Sequence, residues 1–277
     1  TAGDISLDIN WKNLLIDYDC IIHCAGMAHN MKKKDNLESY LAVNTKGTKH
    51  LAEYASKAGI KRFIFLSSIK VNGEKTLDVI NNVPTNSNFK KKFFHNDIEA
   101  PEDSYGISKF EAEKELWKIS AKTGLEVVVI RLPLVYGKGV KGNLARLIKL
   151  LATGLPLPFS LINNKRSLIG IDNLVDLIIR CVDHPSAAGK TFLVSDGEDL
   201  STPQLLRYMA SSMGRSANLF PMPIFLLKFV SFILRRDKEM SRLLGSLQID
   251  TNYTQEVLNW TPPITTIEGI RRMVQDL

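Results

Sequence analysis

Cysteine is scarce, with only Cys20, Cys24 and Cys181 among 277 residues. So few, in odd number, build no disulfide framework and predict a protein of a reducing compartment, the cytoplasm. His23 lies between the first two and invites a metal reading. In the run DCIIHCAG, however, strand alternation sends Cys20, Ile22 and Cys24 to one face and His23 to the other, so no metal is expected there. Long apolar runs are missing too: no transmembrane segment is expected, and the opening residues do not read as a secretory leader. The nearest candidate, FPMPIFLLKFVSFILRR at 220–236, has an apolar core of about a dozen residues, short of a membrane span. It carries Lys228 inside and Arg235 and Arg236 at its end. A helix packed over a pocket is the favoured reading, with peripheral contact with a membrane surface as the alternative. Internal repeats and low-complexity tracts are absent. A composition of 44% hydrophobic and 23% charged residues excludes disorder and supports a full core.

What is present is an excess of positive charge. A formal net charge of +7 suits nucleic acid, an anionic membrane or an anionic small substrate, and charge alone does not choose among them. The densest basic runs, MKKKDN and NFKKKFFHND, fall in polar segments that read as loops. No aromatic RNA-binding signature accompanies them, so no nucleic-acid partner is expected.

Short β-like runs alternate with helix-like runs for two thirds of the chain. Strands are predicted at 18–25, 61–68, 125–132 and 190–196, and helices at 36–59, from Tyr105 to about Lys122, near 142–153 and at 172–183. Strands apolar on both faces and separated by helices mean an α/β fold, a doubly wound parallel sheet covered on both sides. The last eighty or so residues lose this rhythm and read as a smaller, mostly α lobe. The division expected is 1–135 with 168–197 for the sheet domain, and 136–167 with 198–277 for the lobe.

Ligands of such sheets bind beyond the carboxyl ends of the strands. Small or polar residues collect there: Ala25 and Gly26 after the first strand, Ser67 and Ser68 after the second, and Pro133 opening PLVYGKG after the third. The helix that follows the Ser68 strand begins SYGISKFEAEKEL, and Tyr105 and Lys109 stand four residues apart on it. The apolar stripe of that helix is read through Ile107, Phe110, Ala112 and Leu116. Cβ atoms at this spacing lie about 5–6 Å apart. A lysine ammonium so close favours the phenolate, lowering a tyrosine that ordinarily titrates near 10. Tyr105 then serves as acid and base, Ser68 hydrogen-bonds the same substrate hydroxyl, and a nicotinamide at the strand ends accepts the hydride: alcohol oxidation or its reverse.

The motifs HCAGMAH, VNTKGT, FIFLSSIKVNGE, YGISKFEAE, RLPLVYGKG, KGNLARL, NKRSLIGIDNLVD, FLVSDGEDLST and LNWTPP occur in this order along nearly the whole chain. In this they resemble extended short-chain dehydrogenase/reductases, specifically nucleotide-sugar epimerases and reductases of surface polysaccharide synthesis. The resemblance implies a Rossmann-like domain, NAD as cofactor with NADP as alternative, a UDP-sugar substrate, and a homodimer paired through the Tyr105 helix and its predecessor. It makes Ser68, Tyr105 and Lys109 the catalytic serine, tyrosine and lysine, with Lys109 also holding the nicotinamide ribose. Asp4, Ala25, Gly26, Asn44, Ser67 and Pro133 fall on cofactor-binding positions. Asn143 and Leu144 match contacts to the UDP part, Arg166 a pyrophosphate-binding arginine, and Arg242 a second one.

Two departures from the family pattern carry weight. The glycine-rich turn that would hold the dinucleotide pyrophosphate is not found before GDIS, so the chain is expected to be incomplete at its amino end. The literal G-x-G-x-x-G of GKGVKG at 137–142 lacks an acid about 20 residues onward and reads as a decoy on the substrate side. Related 4,6-dehydratases carry an Asp-Glu pair after the catalytic serine or threonine, because eliminating the 6-hydroxyl needs an acid and a base. Here Ile69 and Lys70 occupy those positions, which disfavours dehydration. A UDP-sugar 4-epimerase leads, a UDP-4-keto-6-deoxy-sugar reductase is the alternative, and a non-catalytic cofactor-binding or scaffold protein is the alternative of another class.

Overall fold

A computed structural model describes residue 5 and residues 9–11, 14–28, 36–76 and 91–275. Its strands are β1 (Cys20–His23), β2 (Arg62–Ser68), β3 (Glu126–Leu132), β4 (Leu134–Tyr136), β5 (Leu168–Gly170) and β6 (Lys190–Leu193). Strands β1, β2, β3 and β6 pair in that order as one parallel sheet, and β4 pairs with β5 in a second. The helices are α1 (Leu37–Tyr40), α2 (Thr48–Lys57), α3 (Ser104–Thr123), α4 (Gly142–Ala152), α5 (Ile171–Asp183), α6 (Thr202–Ser212), α7 (Ile224–Ile233), α8 (Asp237–Leu244), α9 (Asn252–Leu258) and α10 (Thr266–Gln275). A π-helical stretch, Leu41–Gly47, joins α1 to α2 into one rod, where a plain α-helix was expected. The parallel α/β architecture is the one read from the sequence.

Alternation along the buried strands explains the two layers. Phe63 and Phe65 of β2, with Val127 and Val129 of β3, pack under α2 and α3. Ile64, Val128, Ile130 and Phe192 point the other way, into the core beneath α5 and α9. Each such side chain contributes about 1.5–3 kcal/mol by leaving water. Cys20 belongs to the α5 side, while His23 stacks on Phe65 on the α3 side and shares a 2.8 Å hydrogen bond with Thr48. Burial and the Lys109 charge lower His23 to about 4, so the ring is neutral.

A third core gathers β4, α4, α6, α10 and Leu227 of α7. It joins the main sheet through Asp196, whose carboxylate accepts hydrogen bonds from Tyr136, Asn173 and the Gly170 amide. The segment GKGVKG connects β4 to α4 and so belongs to this third core. A Cβ on Gly137 would lie 2.4 Å from Ile171 Cγ2, and its φ of 158° favours glycine. The segment from α9 to Trp260 leaves the third core and packs on the main sheet.

One expectation fails in this region. The apolar stretch 220–236 forms α7, but the helix is not packed over: only Leu227 and Ser231 are buried, and the remaining side chains are exposed. Among the described residues no helix is long and apolar enough to cross a membrane.

Candidate active site

Helix α3 begins where Asp103 caps it, its carboxylate accepting from the Gly106 amide at 2.7 Å, and ends at left-handed Gly124. Its buried stripe differs from the one read in the sequence. Lys109 is buried with Ala112, Glu113, Leu116 and Ile119, whereas Ile107 and Phe110 are only half-buried. A lysine on the core face is costly, and its surroundings show how it is kept. The ammonium donates to the Leu66 carbonyl at 2.9 Å and sits over the Phe65 ring at 4.4 Å. Burial lowers Lys109 to about 8, with Glu113 and Cys24 opposing.

Tyr105, one turn earlier, lies beside Ser68 at the end of β2, close enough for that hydroxyl to act on its phenol. The lowered phenol expected from the lysine is not found. Burial raises Tyr105, the Ser68 contact opposes, and the charge of Asp103 raises it further. The physical reason is the position of the Lys109 ammonium, which is committed to the Leu66 carbonyl.

The loop after β1 closes this cluster. Asn44 lies in the π-helical stretch, fully buried; its side chain accepts from Met27 N at 2.7 Å, and donates to Met27 O and Ser108 Oγ at 2.9 Å each. Asn44 therefore locks the β1 loop to α3, and its side chain is spent on positioning. Gly26 fits between: a Cβ there would lie 3.0 Å from Asn44 Oδ1 and 3.3 Å from Lys109 Nζ. Ala25 and Gly26 are exposed and Pro133 is buried between β3 and β4. These residues put small side chains at the strand ends with a buried cation behind them, which fits an anionic dinucleotide. Asp4 lies outside the described residues.

Two polar networks, neither apparent in the sequence, support the cluster. Ser67 faces away from its neighbour and donates to Glu113, so its hydroxyl is not a free cofactor contact. Glu113 also pairs with Arg131 at 2.6 Å, and Arg131 reaches Asn72 at 3.0 Å and Glu99 at 2.9 Å, nearly all of it buried. The second network is Lys70, whose ammonium pairs with Asp103 and Glu74. Ile69 is buried in a small core. The two positions after Ser68 thus hold a core side chain and an ion-paired cation, with no acid to expel a hydroxyl.

The loop that follows reaches the strand-like segment after α8. Thr76 N donates to Ser246 O at 2.9 Å, and Gln248 N to Thr76 Oγ1 at 3.0 Å. Beside these bonds lie Arg166 and Arg242. Arg166 donates to the Arg242 carbonyl at 2.7 Å and to Gly245 O at 3.1 Å, capping the end of α8. Burial lowers Arg166, the Arg242 charge adds to this, and Glu74 opposes. Two neighbouring guanidinium groups suit a diphosphate, with the Glu74 charge opposing. Asn143 is half-buried in the first turn of α4, which Arg146 ties to α8 through Glu239 at 2.8 Å. The Leu144 side chain lies in the third core, which leaves only its backbone for a ligand.

A profile of the NAD dependent epimerase/dehydratase family matches residues 1–195. A Vibrio cholerae protein named UDP-glucose 4-epimerase is 45% identical over 277 residues, 99% of this chain and 81% of the relative. The chain belongs to the NAD-dependent epimerase/dehydratase family. It is accordingly an enzyme of NAD-dependent chemistry, and the Ser68, Tyr105, Lys109 cluster occupies the strand ends where that family's fold binds ligands. An Escherichia coli O157:H7 relative, N-acetyl-alpha-D-glucosaminyl-diphospho-ditrans,octacis-undecaprenol 4-epimerase, is 26% identical over 223 residues, 80% of this chain and 62% of its own. In fold, the chain is similar to a Bacillus cereus UDP-glucuronic acid 4-epimerase solved with NAD: TM-score 0.75, 18% identity, covering 98% of this chain and 78% of that one.

Proposed function

We propose that the protein is a nucleotide-sugar 4-epimerase, acting on a UDP-hexose or UDP-N-acetylhexosamine. The observation that carries this reading is the meeting of Ser68, Tyr105 and Lys109 at one strand end, with ion-paired Lys70 where elimination would need an acid. The 45% identity to a protein named UDP-glucose 4-epimerase supports it. In the E. coli relative's name the sugar is carried on a polyprenyl diphosphate; both carriers present the same diphosphate, and the higher identity favours the nucleotide.

The dinucleotide would be held by Ala25, Gly26, Pro133 and Lys109, and when bound it supplies a two-electron acceptor and donor for the sugar carbon. The chain's own residues do the rest. Ser68 hydrogen-bonds the C4 oxygen and Tyr105 Oη takes and returns its proton. Lys109, whose ammonium is turned to the Leu66 carbonyl, would hold the nicotinamide ribose, and Asn44 fixes the loop that faces it. Arg166 and Arg242 hold the diphosphate, with Asn143 and the Leu144 backbone on the nucleotide side. On this reading 136–167 and 198–277, apart from the stretch from α9 to Trp260 that packs on the main sheet, are the sugar-side lobe, and two copies pair through α3 and the α1–α2 rod.

The test is NMR of the full-length protein with UDP-glucose and with UDP-N-acetylglucosamine, without added cofactor. The galacto isomer should form, and Tyr105→Phe should abolish it. Oxidation of added NADH or NADPH by a UDP-4-keto-6-deoxy sugar, with no isomer, would make the protein the reductase instead.

A further inference from the structure

Helix α7 presents an apolar surface that no core explains. Leu227 and Ser231, one turn apart, are its buried line at 3% exposure each. Opposite them stand Phe225 at 68%, Phe229 at 60%, Phe232 at 71% and Ile233 at 62% exposure. At 100° per residue these side chains share one outward arc, so the helix shows water its most apolar face. A folded protein rarely leaves such a patch without a partner.

The charges around the patch indicate what that partner is. Lys228 lies at the border of the arc, and Arg235 and Arg236 follow the last turn; all three are exposed and make no ion pair among the described residues. Lys75 and Lys228 also line a recess of about 510 Å³ between α7 and α8, with Phe232, Met240 and Leu244. Of the nearby acids, Glu239 pairs with Arg146, and Asp237, which accepts from the uncharged Ser231, is outnumbered by the three cations. A second copy docking by two-fold symmetry would bring up the same three cations on a face of like net charge. An anionic surface neutralises them. With ten residues the helix cannot span a bilayer, but it suits the plane of an interface, with aromatics below and Lys and Arg at phosphate level.

We infer that α7 is a membrane-docking helix that seats the protein on an anionic phospholipid bilayer. Through α8 the docked face is continuous with the Arg166 and Arg242 pair, so the substrate side of the enzyme lies next to the lipid surface.

The experiment is co-sedimentation of the full-length protein with vesicles of phosphatidylcholine alone and of phosphatidylcholine with phosphatidylglycerol. Binding should require the anionic lipid. Phe225→Ser/Phe229→Ser/Phe232→Ser should weaken it at least about tenfold. Arg235→Ala/Arg236→Ala should weaken it about thirty-fold at low salt and less at high salt. Turnover of a soluble UDP-sugar should be unchanged in both variants, which separates docking from catalysis. Equal binding by the wild type and the triple variant would overturn the inference. So would a dimer that the triple variant converts to monomer with no vesicle binding, because the face would then belong to a second copy.

Discussion

Replacing Lys109 by methionine should stabilise the protein at neutral pH in the absence of cofactor and substrate while greatly lowering its activity. Burial lowers this lysine from 10.5 to about 8, which corresponds to about 3 kcal/mol against its charged form in the fold. Methionine has a similar shape without the charge. It forfeits the Leu66 hydrogen bond and the contact with Phe65, together about 1–2 kcal/mol. The net gain is about 1–2 kcal/mol, or roughly 2–6 °C in Tm for a chain of this size. Its pH dependence is specific. Below about 8 the lysine is protonated in both folded and unfolded states and the full cost is present. Between about 8 and 10.5 the unfolded chain binds more protons, so wild-type stability rises with pH and the variant's advantage disappears. Urea melts of both proteins at pH 7 and pH 10 measure this, beside an activity assay in which the variant loses about 10²–10⁴-fold. A variant destabilised at pH 7, or an advantage that stays constant with pH, would refute the burial argument.

Lys70→Ala leaves Asp103 and Glu74 without their cation, so the Asp103 charge acts harder on Tyr105; the pH profile of kcat/KM should move to higher pH, and a shift downward would contradict the network. Arg131→Met strands Glu113 in the core and should cost about 3–5 kcal/mol by thermal unfolding, with part regained in Arg131→Met/Glu113→Gln. Arg242→Ala should raise KM for the UDP-sugar about 10–100-fold with kcat little changed, the signature of a lost diphosphate contact.

The sheet was readable because its strands are apolar on both faces and its helices close with glycines, as at Gly59 and Gly124. Strand-end chemistry followed from topology, which puts Gly26, Ser68 and Pro133 at one edge. The buried stripe of α3 was misread because lysine ordinarily marks a solvent face; only the Leu66 carbonyl and the Phe65 ring, both distant in sequence, make Lys109 a core residue. The same lack of tertiary knowledge hid the Ser67–Glu113–Arg131 network, although Glu113 stands one turn beyond Lys109 on the same helix. Asn44 gave a family match but not its role, since its bonds go to the backbone of Met27 and to Ser108. The sequence showed α7 as apolar, whereas its exposure depends on where the third core ends, and no local pattern encodes that.

The most direct test of the central claim follows the hydrogen at the sugar's C4. UDP-glucose carrying deuterium at C4 is incubated with the full-length protein in ordinary water, and the product is read by NMR and mass spectrometry. The expected product is UDP-galactose with the deuterium retained at C4, since Tyr105 exchanges only the hydroxyl proton while the carbon-bound hydrogen is carried as hydride and returned to the same carbon. Product with hydrogen from solvent at C4, or undiminished conversion by Tyr105→Phe, would contradict it.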